Sequence, residues 1–288
     1  MTKRTRSELI LGLCTLIWAA TFPVVKQGLR DASPIVFISL RFWIALIILF
    51  PFCRSEILRM SGLTAKRGAI LGTILFAGFL TQTVGLQFTT ASKSAFITGL
   101  LVVFTPIFQL ILEGKPPKSG NIIGVVLVSG GLFLLTAPQG AGFTVGDALT
   151  FGAALFYALY LVYLDIITRA HSILQLTFLQ IGVTALLASS SLKFLEKPYL
   201  HWTPSLFLAL GYLSVLATLL ALYLITKYQR DTTPTRSAVI FSLEPLFAAL
   251  FSYLLLDEQL EKMSLAGGGI ILTGLLVSEL SDVLFKKP

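Results

Sequence analysis

The chain has 288 residues, of which 55% are hydrophobic and 12% are charged, and its mean hydropathy is +0.86. Soluble domains carry about 25% charged residues, so this composition excludes an ordinary soluble domain and indicates a membrane protein. The net charge of +8 comes from basic residues scattered between apolar runs, which argues against a nucleic-acid-binding surface. The two cysteines, Cys14 and Cys53, support neither a disulfide framework nor a metal site.

Apolar runs long enough to cross a bilayer recur along the chain. A helix rises about 1.5 Å per residue, so about 30 Å of hydrocarbon takes about 20 apolar residues. The runs are continuous rather than alternating, and they are too long for the strands of a membrane barrel. The sequence therefore predicts an all-α membrane protein with ten transmembrane helices, at residues 8–27, 34–53, 67–87, 94–112, 119–138, 147–166, 173–192, 205–226, 236–256 and 263–281.

The basic residues in the connections predict the orientation, because positively charged loops stay in the cytoplasm. With the N-terminus inside, fifteen Lys and Arg residues fall on the inner side and six on the outer side, while Arg41 lies within a span. We therefore expect a multi-pass protein of the cytoplasmic membrane with both termini in the cytoplasm.

The second half of the sequence resembles the first. An offset of 143 residues aligns 89–134 with 232–277 and matches the pattern Thr-Thr-x-x-basic-Ser-Ala in both. A weaker offset near 139 places Trp18 on Tyr157. These matches predict two repeats of five helices each, 1–138 and 139–288.

Because five is odd, the second repeat enters the membrane from the opposite side, and the two repeats are inverted. Inverted repeats that rock around a central site are a recurrent construction of secondary transporters. The alternative is that duplication only built a stable bundle, for a channel or an anchor.

Short motifs follow one another in order along the predicted helices. They are Trp18-Ala19 with Lys26, Leu40-Arg41-Phe42, Ser94-Ala95 and Ser237-Ala238, Glu244-Pro245, Leu255-Leu256-Asp257-Glu258, and the glycine pairs of helices five and ten. Together they resemble the EamA type of the drug/metabolite transporter superfamily over essentially the whole chain, with one departure, Lys115 at the position that matches Glu258. The resemblance implies ten helices in two repeats and transport of small metabolites, often export.

Two charged residues inside the spans need a local reason, since a charge within a bilayer costs about 2.5–3.5 kcal/mol on insertion scales. Arg41 could bind a carboxylate or another anion through its planar guanidinium, or it could snorkel to the outer interface or serve as a structural contact. Glu244 lies near the middle of its span, where it could bind a cation or accept a proton. Its equivalent in the first repeat is Leu101, and the equivalent of Arg41 is Gln180, so neither charge is repeated.

This asymmetry leads to a substrate hypothesis. Arg41 and Glu244 could contact opposite ends of a zwitterion such as an amino acid, or they could pair with each other. Polar and aromatic stripes supply the remaining candidates for substrate binding, which are Trp18, Gln82, Gln109, Tyr157, Tyr160, Gln180 and Phe241. Polar residues in membrane helices also serve simply as interhelical hydrogen bonds.

Three prolines lie inside predicted spans: Pro23, Pro106 and Pro245. Each lacks an N–H and frees the carbonyl four residues earlier, for a ligand or for a kink. We expect them to be sites of helix bending or gating, although prolines that only adjust packing are common in membrane helices.

The preferred hypothesis is a secondary active transporter, an exporter in direction, that works by alternating access on a small metabolite. We find no catalytic motif, expect no cofactor or metal, and see no room in the connections for a nucleotide-binding domain. The partners expected are the substrate, the lipid bilayer and a coupled proton or exchange substrate, with no nucleic acid. A passive channel and an intramembrane lipid-modifying enzyme are the alternatives.

Overall fold

The structure is a computed structural model that describes residues 2–117, 119–136, 143–256 and 262–284. Within these ranges all regular secondary structure is helical, and the one β-type contact is an isolated bridge between Ala32 and Leu200. The all-α prediction is confirmed. The motif that begins at Leu255 leaves the described residues from Asp257 onward.

The helices follow one another with short connections. They are α1 Lys3–Ala19, α2 Thr21–Gly28, α3 Pro34–Leu58, α4 Gly62–Gly85, α5 Ala91–Gly99, α6 Leu101–Glu113, α7 Ser119–Thr136, α8 Val145–Thr168, α9 Ile173–Leu195, α10 Pro204–Tyr212, α11 Ala221–Tyr228, α12 Pro234–Phe241, α13 Leu243–Leu256 and α14 Lys262–Leu284. A π-helical stretch, Leu213–Leu220, joins α10 to α11, and a 3₁₀ turn, Gln229–Asp231, follows α11.

Eight helical stretches in the described part are long and apolar enough to cross a membrane. They are Lys3–Gly28, Pro34–Leu58, Gly62–Gly85, Ala91–Glu113, Val145–Thr168, Ile173–Leu195, Pro204–Asp231 and Pro234–Leu255. Each coincides with one of the predicted spans. The predicted fifth and tenth spans correspond to α7 and α14, and membrane crossing by these two stays a prediction.

Three of the long stretches are broken near their middle or end. The breaks lie at Ala20, Leu100 and Ser242. Pro23 and Pro245 each follow a break by three residues, as expected for a residue that cannot donate to the preceding turn. Pro106 differs, since it lies inside α6 and the break in its stretch comes earlier.

The packing of the broken stretches places two of them side by side in opposite directions. The first part of Ala91–Glu113 (α5) packs on α13, while its second part (α6) packs on α12. Because the start of each stretch contacts the end of the other, the two run antiparallel. Helix α4 packs on α8 and α9, α1 packs on α11 to α13, and α7 packs along α14.

Close helix contacts occur where glycine removes the side chain. A Cβ at Gly131 of α7 would lie 2.7 Å from the carbonyl oxygen of Gly267, and one at Gly146 of α8 would lie 2.6 Å from that of Gly85. Such distances permit no side chain, so these helices touch backbone to backbone.

Candidate functional site

A cavity lies among the broken stretches, with about 50 Å³ of space for water. A single water molecule takes roughly 10–15 Å³ of such space, so the cavity holds a few waters. Its walls come from both halves of the sequence. They consist of Trp18, Thr21, Arg41, Leu75, Phe79, Gln82, Thr98, Leu101, Tyr157, Tyr160, Leu161, Ile225, Phe241 and Glu244.

Arg41 lines the cavity with only 4% of its surface exposed. Its Nε donates to the hydroxyl of Thr218, and one terminal nitrogen donates to the carbonyl of Ala217 at 3.3 Å. The guanidinium carbon lies 4.8 Å from the centre of the Phe79 ring. The side chain is therefore held in place by the helix opposite, and it does not snorkel to an interface.

The π-helical stretch supplies the carbonyl that anchors this wall. A π-helix bonds five residues apart, which displaces carbonyls from the regular α-helical ladder and often marks a functional site. The Ala217 oxygen accepts from Arg41 and also from the indole Nε1 of Trp18, at 2.9 Å. One backbone atom thus positions a cation and an aromatic ring on the same cavity wall.

Glu244 faces the cavity with 8% of its surface exposed. It lies in the first turn of α13, directly after the break at Ser242, where the positive end of the helix dipole favours a carboxylate. Within the described part of the chain no hydrogen bond reaches its carboxylate, and no ion pair joins it to Arg41. The carboxylate is therefore available for a ligand that enters the cavity.

The remaining polar and aromatic walls are held by contacts with one another. Tyr157 donates to Gln82 at 3.0 Å, and Gln82 donates to Thr98 at 3.0 Å. Trp18 and Phe241 lie with ring centres 5.6 Å apart. A ligand would therefore meet a largely apolar, aromatic space with the Glu244 carboxyl group and the Arg41 guanidinium on its walls.

Seven of the nine candidate residues meet in this cavity, and two glutamines do not. Gln180 is fully buried and is occupied by Tyr160, which donates to it at 2.6 Å, and by Thr226, to which it donates at 2.9 Å. Gln109 accepts from Thr235 at 2.6 Å and lines a separate cleft near the N-terminus. A polar stripe on one helix does not show what that side of the helix contacts. The sides that carry Gln109 and Gln180 contact other helices.

Several lining residues were not among the candidates: Thr21, Leu75, Phe79, Leu101, Leu161 and Ile225, while Thr98 shares the polar stripe of Gln109. Most are apolar, and no sequence feature separates an apolar wall from the core. The repeat offers one usable signal. Offsets of 139 and 143 match Thr21 with Tyr160 and Leu101 with Glu244, so the candidates Tyr160 and Glu244 each point to a further lining residue.

Comparison with known sequences matches the model of the EamA-like transporter family twice, over residues 6–137 and 144–280. A protein of Archaeoglobus fulgidus described as an uncharacterized transporter is 33% identical over 285 residues, covering 96% of this chain and 87% of its own. The uncharacterized inner membrane transporter YedA of Escherichia coli K12 is 25% identical, covering 95% of this chain and 90% of its own.

A crystal structure with a similar fold aligns with a TM-score of 0.79 at 16% sequence identity. The alignment covers 98% of this chain and 99% of the other. At this identity the likeness concerns the fold alone, and it indicates that the arrangement of helices described above is one found in a solved protein.

Proposed function

Because the chain belongs to the EamA-like transporter family, we propose that it is a secondary transporter that moves a small zwitterionic metabolite, such as an amino acid, by alternating access. The carrier is built from two inverted repeats of five transmembrane helices, 1–138 and 139–288, with both termini in the cytoplasm. The cavity between the repeats is the substrate site.

The positions that line the cavity support a repeat around a central site. Matching positions in the two halves both face it, which a site built by one half alone would not require. The matched pairs are Trp18 with Tyr157, Thr21 with Tyr160, Gln82 with Ile225, Thr98 with Phe241, and Leu101 with Glu244.

The broken stretches support the inversion. At an offset of 143, the break at Leu100 falls within one residue of the break at Ser242. The two stretches that contain these breaks lie antiparallel, as described above. Two equivalent helices that run in opposite directions are what inverted repeats require, and such a pair can open toward either side of a membrane in turn.

The observation that carries the substrate class is the pair of opposite charges on the walls of one cavity. Arg41 presents a cation, and Glu244 presents a carboxylate that no described group neutralises. An amino acid offers a carboxylate to the first and an ammonium to the second, and the aromatic walls accept its apolar body. The family resemblance favours export, and a gradient or an exchanged substrate, such as a proton, would supply the energy.

The test is counterflow in proteoliposomes loaded in turn with each of the common amino acids. We expect saturable uptake of labelled substrate that is stimulated by unlabelled substrate inside, because a carrier, unlike a channel, exchanges one bound molecule for another across the membrane. Uptake that never saturates would favour a channel and contradict the proposal.

Competing substrate analogues that lack one charged group test the two ends of the zwitterion separately. The amide of the substrate lacks the carboxylate, and its N-acetyl derivative lacks the ammonium. We expect Arg41→Gln to abolish discrimination against the amide and Glu244→Gln to abolish discrimination against the N-acetyl derivative. If the double variant instead recovers transport that each single variant has lost, the two residues pair with each other and the zwitterion hypothesis is wrong.

A further inference from the structure

Two buried ion pairs join the first half of the chain to the second. Lys93, in the first turn of α5, donates from Nζ to Asp147 Oδ2 of α8 at 2.7 Å. Arg236, in the first turn of α12, donates from Nε to Glu8 Oε1 of α1 at 2.9 Å. In each pair a basic residue at the start of a broken stretch binds an acidic residue of the opposite half.

The two pairs occupy equivalent positions. Lys93 and Arg236 match at the offset of 143, and Glu8 and Asp147 match at the offset of 139. The equivalence extends to local geometry, because Thr90 and Thr233 both accept from the backbone N–H of the basic residue. The first half supplies the base of one pair and the acid of the other. The two pairs are therefore equivalent contacts in which the two halves have exchanged roles.

The pairs lie at opposite ends of the cavity. Lys93 lies in the first turn of the stretch Ala91–Glu113, whose residues Thr98 and Leu101 line the cavity. Further along, Gln109 bonds Thr235, the neighbour of Arg236, at 2.6 Å. The sixteen residues from Lys93 to Gln109 span about 24 Å at helical rise, with the cavity residues in between.

Each pair is well shielded from water. The exposed fraction of the side chain is 0% for Asp147 and 15% for Lys93, and it is 4% for Arg236 and 12% for Glu8. Without Lys93, the buried Asp147 would keep only neutral donors, Thr89 and the backbone N–H of Thr144, which is unfavourable for a buried charge. Glu8 is also bound by Arg4 at 2.9 Å, so we expect the loss of Arg236 to have the smaller effect of the two. A closed end that contains such a pair therefore depends on the pair to stay closed.

We propose that these ion pairs are the two gates of the carrier, each formed only while its own end of the cavity is closed. The proposal rests on the alternating access proposed above. Both pairs are formed at the same time in this structure. Opening either end separates one base from one acid and leaves the equivalent pair intact.

The experiment measures which side of the membrane reaches the cavity, without any substrate. The variants Cys14→Ala and Cys53→Ala remove the two native cysteines, and Thr21→Cys places a thiol on the cavity wall. Labelling by a membrane-impermeant maleimide is then followed in right-side-out and inside-out vesicles. From the charge bias of the loops, Lys93 lies at the outer end and Arg236 at the inner end.

We expect Lys93→Gln to raise the labelling rate from outside roughly tenfold and to lower it from inside, because the closed outer end has lost its pair. Arg236→Gln should do the reverse. The conservative variants Lys93→Arg and Arg236→Lys keep the charge and should label at rates close to the parent. Leu101→Cys, on a wall contributed by another helix, provides a second reporter if Thr21→Cys folds poorly.

An ion pair inside one helix serves as the matched control. Arg169 binds Asp165 four residues earlier, at the end of α8, and this pair joins no two halves of the chain; its length is 2.8 Å. Arg169→Gln should leave both labelling rates unchanged. The proposal is overturned if Lys93→Gln and Arg236→Gln raise the labelling rate from the same side, or if neither changes it. It is also overturned if Arg169→Gln changes the labelling rates as much as they do. Absence of counterflow with normal labelling responses would reject the substrate proposal alone.

Discussion

The stretches that begin with α5 and α12 are alike where they begin and unlike where they line the cavity. At the starts, the two halves agree: Thr90 and Thr233 cap the helices, and a basic residue three positions later binds an acid of the other half. Five and eight residues beyond that base, the halves differ. One presents Thr98 and Leu101 to the cavity, and the other presents Phe241 and Glu244.

In the carrier proposed above, this difference would separate the parts that every transport cycle needs from the parts that recognise one substrate. Two ends that open in turn require equivalent closures, so their residues are expected to match. A substrate with unlike ends requires unlike walls. Accordingly, the position equivalent to Glu244 in the other repeat is the uncharged Leu101, and the position equivalent to Arg41 is the uncharged Gln180.

The largest effect is expected at the walls. Glu244→Gln removes the anionic group and should reduce counterflow by about a hundredfold, because a buried charged hydrogen-bond partner is worth about 1.5–3 kcal/mol. Leu101→Met, at the equivalent position, keeps the apolar character and should change counterflow by less than about threefold. Equal losses in the two variants would show that the walls are equivalent after all.

The next effect concerns the close contact beside the Lys93 pair. Gly146→Ala places a methyl group 2.6 Å from the carbonyl of Gly85 and should lower the free energy of unfolding by about 2 kcal/mol. Gly152→Ala, six residues along the same helix, meets its nearest atom at 4.0 Å and should be neutral or slightly stabilising. Denaturant unfolding in detergent measures both. The position equivalent to Gly146 is Ser7, which bonds Asp231, so the two ends are packed differently although their ion pairs match.

A smaller effect tests the likeness of the helix starts directly. Thr90→Ala and Thr233→Ala each remove a capping hydroxyl and should destabilise the protein by about 1 kcal/mol. Thermal unfolding of the two variants in the same detergent gives the comparison. If one substitution costs several times the other, the two helix starts are not energetically equivalent.

The smallest effect on stability is expected at a histidine that lies outside the helix starts and the cavity walls. His171 follows α8, where its Nδ1 lies 2.8 Å from the Thr64 hydroxyl and its Nε2 lies 3.2 Å from Arg67. Burial and the charge of Arg67 lower the pKa of His171 below its usual 6.5. The unfolded chain therefore binds a proton more readily than the folded one, so this site loses stability as the pH falls through about 6.5.

His171→Gln should remove that dependence. We expect the melting temperature of the parent to fall slightly more than that of the variant between about pH 7.5 and about pH 5.5. Parallel curves would mean that the histidine titrates alike in the folded and unfolded chains.

Much of the fold was predictable because apolar runs of about 20 residues leave few alternatives. The eight long stretches lie where the hydropathy of the sequence placed spans, and Arg41 and Glu244 were found because charge is costly there. Gln109 and Gln180 lie away from this cavity for an equally simple reason. A polar face requires a partner, and the sequence of one helix does not say whether that partner is a ligand or another helix.

The ion pairs show how much more the repeat can reveal. It matches Lys93 with Arg236 at one offset, but the acids that bind these two bases do not stand out from the other acidic residues near the helix ends. The offset that matches Trp18 with Tyr157 also matches Glu8 with Asp147. One basic position and one acidic position, each present once in either half, thus supply all four residues of the two ion pairs.

The small volume of the cavity bears on energy conservation in the cell. The few waters for which the cavity has space are too few to form a file across about 30 Å of hydrocarbon within the described part of the chain. In the carrier proposed above, this conformation would therefore keep the bilayer electrically insulating between turnovers.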